Sequence, residues 1–358
     1  MSTTPAPGAP GGQEPFPPPS PPSETPRRPG PGWKRRVWSA VPFAPALVPA
    51  AIVIAIAATL VSASGFHISV SWPHPFVGWP HVSVSWPHNF GWGFFGLAFN
   101  SNLNQFGMLV FIVGSFLTAV PALFFSMVIG LGIAIASTTY LPKFLARIFD
   151  PFVDLLAGIP SVVYGIWAFL VIAPVFGNLL NPFAVAHLSF IPGFSANSTS
   201  PTSAGVGLPI SIFVLTLMAL PITTLLIRDA LRSIPVDLWE SGLALGATRW
   251  EVVRRVSLRY GSRGIWSAAF LGFGRAIGET VAVAMVIGST DKLPTNVYDV
   301  TWTMSSFMFQ ILDAAFGNSL YLAALAELAL ILLAITLGVN LLGRRLVTHI
   351  YAEEVPGL

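Results

Sequence analysis

The sequence predicts an all-α integral membrane protein with six transmembrane helices, and three observations carry that reading. Of its 358 residues, 54% are hydrophobic and only 9% charged, and mean hydropathy is +0.72. A soluble chain carries about a quarter charged residues, so this one cannot cover a water-facing surface. Apolar runs able to cross a hydrocarbon core of about 30 Å recur at roughly 41–63, 107–136, 151–176, 208–231, 263–288 and 319–343. Finally, Lys and Arg concentrate in alternate connections between those runs. The chain has no Cys, which excludes disulfides, thiol nucleophiles and Cys-based zinc sites.

Residues 1–40 read as a disordered cytoplasmic tail. Residues 1–32 hold 12 of the 32 prolines, a composition that cannot bury apolar surface. The basic residues Lys34, Arg35 and Arg36 precede the first run, 41–63, whereas a cleaved signal peptide begins with its basic region. The second run exceeds one span and is expected to tilt or to extend past the membrane. Pro121, Pro160 and Pro221 lie inside runs, where neighbouring helices re-satisfy the backbone.

Between the first two runs, residues 64–106 contain a repeat. His67-Ile68-Ser69-Val70-Ser71-Trp72-Pro73-His74 recurs as His81-Val82-Ser83-Val84-Ser85-Trp86-Pro87-His88. The alternation predicts two short paired strands. The even spacing of the histidines invites a metal hypothesis, but the loop offers no carboxylate or Cys ligand. A surface hairpin with Trp72, Trp79, Trp86 and Trp92 near the lipid interface is the other reading.

Sixteen of the 18 basic residues fall on one side of the six spans, all but Arg275 and Lys292. The positive-inside rule then places both termini in the cytoplasm. The core runs from 107 to 346, with a short cytoplasmic tail at 347–358.

Two stretches carry candidate chemistry. Between the fourth and fifth runs, Pro235 suits the start of a helix, Gly246 can end it, and Thr248-Arg249-Trp250-Glu251 is a capping box opening another. Three readings fit this helix–turn–helix. It could be an interfacial elbow against anionic headgroups, a DNA reader tethered awkwardly at both ends to the membrane, or a docking helix for a cytoplasmic partner. In the fifth run, Arg275 sits near mid-span. Glu279 four residues later would share its helical face, and Gly274 and Gly278 would admit a neighbouring backbone. Charges at that depth face a pathway or a partner. Either the two lock helix packing as an ion pair, or Arg275 offers a planar guanidinium to an oxyanion while Glu279 tunes the charge and Thr280 adds a hydroxyl. Glu327, in the sixth run, could line the same route or make a packed polar contact.

The lysines Lys34, Lys143 and Lys292 follow Trp33, Pro142 and Asp291, so no Gly-Lys phosphate loop exists. Coupling to ATP requires a partner.

Glu240-Ser241-Gly242, with Gly246 six residues after the Glu and then Val256 and Leu258, resembles the EAA loop of bacterial ABC-importer permeases. Ser241 and Gly242 replace its alanines, and Arg259 stands where proline is usual. Gly274-Arg275-Ala276-Ile277-Gly278-Glu279-Thr280-Val281-Ala282-Val283-Ala284-Met285-Val286-Ile287-Gly288 and Gly158-Ile159-Pro160-Ser161-Val162-Val163-Tyr164-Gly165 resemble permeases of the phosphate ABC importer, of the PstC type. The resemblance covers roughly 107–346. It implies a type I ABC-importer permease fold that translocates inorganic phosphate without catalysis of its own. Arg275, Glu279 and Thr280 would line the substrate route. Glu240, Leu245, Gly246, Ala247, Arg249 and Trp250 would form the loop that couples to the ATPase. The implied partners are a PstA-like permease, a PstB-like ATPase dimer holding ATP and Mg2+, and an extracytoplasmic PstS-like phosphate-binding protein. No cofactor, metal or nucleic acid is expected on this chain. A permease for sulfate or molybdate is the near alternative; an ion-coupled transporter or a signalling protein without ATPase partners is the distant one.

Overall fold

The computed structural model describes residues 44–64, 67–71, 81–85, 96–97, 99–100, 105–194, 205–316 and 319–351. The expected N-terminal tail, residues 352–358, His74, His88 and the four loop tryptophans lie outside them, while the last helix runs on through 347–351 of the expected C-terminal tail. The chain divides into units Met1–Ile54 and Ala55–Leu358. Helix α1, Ala44–Ala63, begins in the first; all that follows concerns the second.

The repeat forms the expected hairpin. Strands β1 (His67–Ser71) and β2 (His81–Ser85) pair antiparallel, with Ser69 opposite Ser83. A second, two-residue pair that the pattern did not announce follows, β3 (Phe99–Asn100) with β4 (Gln105–Phe106). Beyond it, every regular element among the described residues is a helix.

Helix α2 (Leu109–Ile135) continues through a π-helical turn, Ala136–Tyr140, so the second run does outlast one crossing. The third run is not one helix. It splits into α3 (Lys143–Gly158) and α4 (Ser161–Leu188), with Ile159 extended at φ −72° and ψ 127° before Pro160. A proline disfavours the helical conformation of the residue before it. Pro121 and Pro221, by contrast, are carried inside helices. Helix α3 is amphipathic: Phe144, Phe152 and Leu155 are more than 60% exposed on one face, and Asp150 and Asp154 occupy another. The span is therefore α4, which reaches twelve residues beyond the expected boundary at 176 and contains π-helical turns at Ala168–Ile172 and Phe176–Leu180.

Helix α5 (Leu208–Arg232) is the axis of the bundle. In its most apolar stretch 67% of residues are buried, against 33% or 28% in the other long spans. Helices α2 and α8 (Ser262–Gly278) flank it. The fifth run is also interrupted, α8 giving way to α9 (Val281–Val286). Helix α10 (Met304–Ala315) precedes α11 (Ser319–Tyr351). Four helices among the described residues are long and apolar enough to cross a membrane: Leu109–Tyr140, Ser161–Leu188, Leu208–Arg232 and Tyr321–Gly343. The broken fifth run and α1 are not among those four.

The largest core cluster joins α2, α8, α10 and α11 through Phe111, Phe273, Phe307 and Leu328. Phe111 and Phe307 stack with centroids 3.9 Å apart, and Trp302 meets Phe307 edge-on. Burying such side chains stabilises by roughly 1.5–3 kcal/mol each, which fixes α10 across the end of the α8 break.

Candidate functional site

The α8–α9 break places the charged residues. Helix α8 ends at Gly278, and Glu279 is extended at φ −69°, ψ 131°. The expectation that Arg275 and Glu279 share a helical face therefore fails, because the helix has ended before Glu279. No ion pair joins them among the described residues. Arg275 is exposed on the last turn of α8, while Glu279 and Thr280 are half-buried. The break is pinned from α10: the Ser305 hydroxyl donates to the Glu279 carbonyl at 2.6 Å. The Thr280 hydroxyl donates to the Gly278 carbonyl at 3.2 Å, so it serves the backbone.

The glycines do not act as expected. A Cβ on Gly274 would lie 2.9 Å from the Asn340 Oδ1 on α11, and one on Gly278 would meet nothing within 4 Å. A side chain, not a backbone, approaches Gly274. The close approach occurs at Gly165 on α4, where a Cβ would lie 3.0 Å from the Ala282 Cα on α9. The two motif strings, distant in sequence, thus touch.

Glu327 is 2% exposed, and neither carboxylate oxygen has a hydrogen-bond partner. Neither a pathway position nor a polar contact is visible in this chain. A buried polar group left unbonded costs about 1–3 kcal/mol. Glu327→Met, of similar length, should therefore raise the midpoint of thermal unfolding in detergent. A lowered midpoint would show that the carboxyl is bonded in the folded protein.

The loop between the fourth and fifth runs is built as the capping signals require. Helix α6 (Val236–Ala244) starts after Pro235 and ends at Gly246, whose φ is +83°. There the Gly246 N–H donates to the Leu243 carbonyl at 2.9 Å and the Ala247 N–H to the Gly242 carbonyl at 3.3 Å, a pattern that satisfies the last carbonyls of a helix. Thr248 then caps α7 (Arg249–Val252). The Glu251 N–H donates to the Thr248 hydroxyl at 3.3 Å, and the Thr248 N–H to the Glu251 carboxylate at 2.8 Å. The Thr248 N–H and hydroxyl, both donating to that carboxylate, hold it below its ordinary range. Gly242, in place of the family's alanine, is where α6 rests on α7: a Cβ there would lie 3.0 Å from Val252 Cγ2.

Glu240, Leu245, Gly246, Arg249 and Trp250 are all exposed, and Ala247 is half-buried. Leu245 is 89% exposed. Trp239, on the opposite side of α6, packs into the bundle with Ile227, Leu231 and Val253. A small helix anchored inward by one Trp, and offering Leu245 and Trp250 outward, is suited to bind a protein groove.

One cluster escaped the sequence reading. On α5, Arg228 places Nη1 at 2.8 Å from Asp150 Oδ1 and Nη2 at 3.2 Å from Asp154 Oδ1, and Arg232 Nη2 lies 2.8 Å from Asp150 Oδ2. Burial alone would raise the Asp150 carboxyl. Hydrogen bonds from Arg228 and Arg232, with their charges, outweigh burial and hold it below its ordinary value. A depressed carboxyl stabilises the fold above its unfolded value and loses that contribution as pH falls through its folded one. The cluster is therefore intact at neutral pH. Its signal was the i, i+4 spacing of Asp150 with Asp154 and of Arg228 with Arg232.

Comparison with known proteins follows the same lines. Residues 126–351 match the family described as binding-protein-dependent transport system inner membrane component. A phosphate transport system permease protein PstC from Mesorhizobium japonicum is 36% identical over 72% of this chain and 78% of its own length. A PstC 1 from Mycobacterium tuberculosis is 36% identical over 70% of this chain and 75% of its own. Among solved structures, a bacterial ABC transporter involved in import of the acidic polysaccharide alginate superposes with a TM-score of 0.53 at 18% identity, over 88% of this chain and 99% of that one. With the helix break, the touching motif strings and the capped loop in place, the chain belongs to the binding-protein-dependent inner-membrane transport components, and among them to the PstC permeases.

Proposed function

We propose that this chain is a membrane permease subunit of an ATP-binding-cassette importer that moves inorganic phosphate into the cell. The observation that carries the substrate is the 36% identity to PstC over 72% of the chain; the family match at residues 126–351 takes in both motif strings. The exposed α6–α7 loop supports ATP coupling through a separate ATPase, which would hold ATP and Mg2+. The chain makes and breaks no covalent bond in this reading.

The distribution of basic residues supports cytoplasmic termini and a cytoplasmic α6–α7 loop. The remaining partners are a PstA-like permease, two PstB-like ATPases and an extracytoplasmic PstS-like binding protein. Arg275 is the substrate-facing cation. It is exposed on this chain, beside a carboxylate that does not neutralise it, so its fork of donors is free for an oxyanion. Glu279 lies at the break, and Thr280 contributes shape to it.

Proteoliposomes holding this chain with its three candidate partners test the proposal. ATP-dependent uptake of labelled phosphate, competed by unlabelled phosphate and not by sulfate or molybdate, is expected. Competition by another oxyanion would change the cargo. Uptake without ATP dependence in an assembled complex would overturn the mechanism.

A further inference from the structure

Arg228 is a cation buried to 4% exposure, at the point where the central helix leaves the bundle for the coupling loop. Its guanidinium bridges two carboxylates one turn apart on α3, and Arg232, one turn further on, closes on the first of them. Two ladders of opposite charge therefore clasp α5 to α3. Buried ion pairs are weak devices for stability, since apolar residues of the same volume commonly do as well. They do fix one relative placement of two helices, because sliding either by a turn would strand a buried charge.

What the clasp joins gives that placement meaning. From Arg232 the chain passes through Ser233-Ile234-Pro235 directly into α6. Beneath α6 lies a cavity of about 210 Å3, lined by Arg232, Val236, Trp239, Thr138, Thr139 and Ser257 among others. The root of the loop is thus held across this cavity by Trp239, packed on Ile227, Leu231 and Val253, and by the Arg232–Asp150 pair. On the other side, α3 leads to α4 across the Ile159-Pro160 break. The Tyr164 hydroxyl bridges that break by donating to the Leu156 carbonyl at 3.0 Å. The next residue, Gly165, is the one that receives Ala282 and Met285 of α9. Helix α9 begins two residues after Glu279. A continuous set of contacts therefore runs from the coupling loop to the helix break by way of the clasp.

We infer that Arg228, with Asp150, Asp154 and Arg232, positions α3 against α5 so that displacement of the coupling loop reaches the α8–α9 break. These are positioning residues; none is assigned to substrate. The inference rests on the reading of the chain as an ATP-driven permease, and its readout is the phosphate moved per ATP hydrolysed. Spatial continuity alone does not demonstrate coupling, so the test measures that ratio directly.

The complete complex in proteoliposomes would carry wild type, Asp150→Asn, and the double variant Asp150→Asn with Arg228→Gln. The single change leaves Arg228 undercompensated and can impair folding. The double change removes both charges, leaves two amides able to hydrogen-bond, and keeps the complex assembled. The expected result for the double variant is ATP hydrolysis retained, with phosphate transported per ATP reduced about tenfold, within the range of ordinary site-to-site couplings. An unchanged ratio beside a coupled wild type would overturn the clasp alone. Hydrolysis and uptake falling in proportion would reduce it to a structural pair and also overturn it. A wild type with no ATP-driven uptake would overturn the transport reading, and the clasp with it.

Discussion

Arg275→Ala is expected to bring ATP-dependent phosphate uptake to background while the complex still assembles. Arg275 makes no ion pair among the described residues and is exposed on the last turn of α8. Its removal therefore strands no buried partner and opens no cavity in the core. What is lost is the charge and the planar donor fork presented beside the break. Truncating one partner of a desolvated charge pair costs about 2–5 kcal/mol, which corresponds to a loss of about 30-fold or more. Arg275→Lys keeps the charge without the bidentate geometry and should retain partial uptake. Copurification of the ATPase with the Ala variant checks assembly. Near-normal uptake by an assembled Arg275→Ala complex would remove Arg275 from the substrate route.

The second large effect is expected at Gly246. With φ at +83° and nothing within 4 Å of a hypothetical Cβ, the position is open in space but closed in conformation. Gly246→Val should force the turn to rearrange, because a β-branched residue adopts that region only under strain of about 1–3 kcal/mol. The bonds from Gly246 and Ala247 to the end of α6 would be lost with it. Leu245 and Trp250 would no longer share one surface, and the ATPase should be lost during detergent purification. Gly246→Asn is the control. Asparagine tolerates the left-handed region, so it should keep the ATPase bound. If both variants retain it equally, the loop does not depend on that turn. If both lose it, absence of a side chain matters more than backbone conformation.

The α6–α7 loop was legible because its signals are local. Proline, glycine and the Thr248…Glu251 spacing each act within a few residues, and all three function as read. The third run was misread for a physical reason. Proline is tolerated inside membrane helices, as Pro121 and Pro221 show, and only the extended Ile159 distinguishes Pro160 from them. The polar face of α3 held the missing clue, since Asp150 and Asp154, one turn apart, straddle the expected start of the span at 151. The break at Glu279 was hidden because no proline marks it and Arg275 and Glu279 fit a continuous helix equally well by spacing. Its restraint, the Ser305 hydroxyl, arrives from 26 residues further along the chain. The clasp was hidden by distance: its partners are 74 and 82 residues apart. Periodicity reports what a helix does to its own surface and is silent about which distant helix answers it.

The central position of α5 has a mechanical consequence. Its 25 residues make a rod of about 37 Å, at 1.5 Å of rise per residue. A rod gripped along its length by α2 and α8 resists bending, so a push delivered at Arg232 is relayed as a tilt of the whole. A rotation of about 5° about one end would sweep the other through roughly 3 Å over that length, comparable with the reach of a single hydrogen bond. A small stroke at the loop is then enough to make or sever a contact at the opposite end of the molecule. The central element of the bundle would be its lever arm.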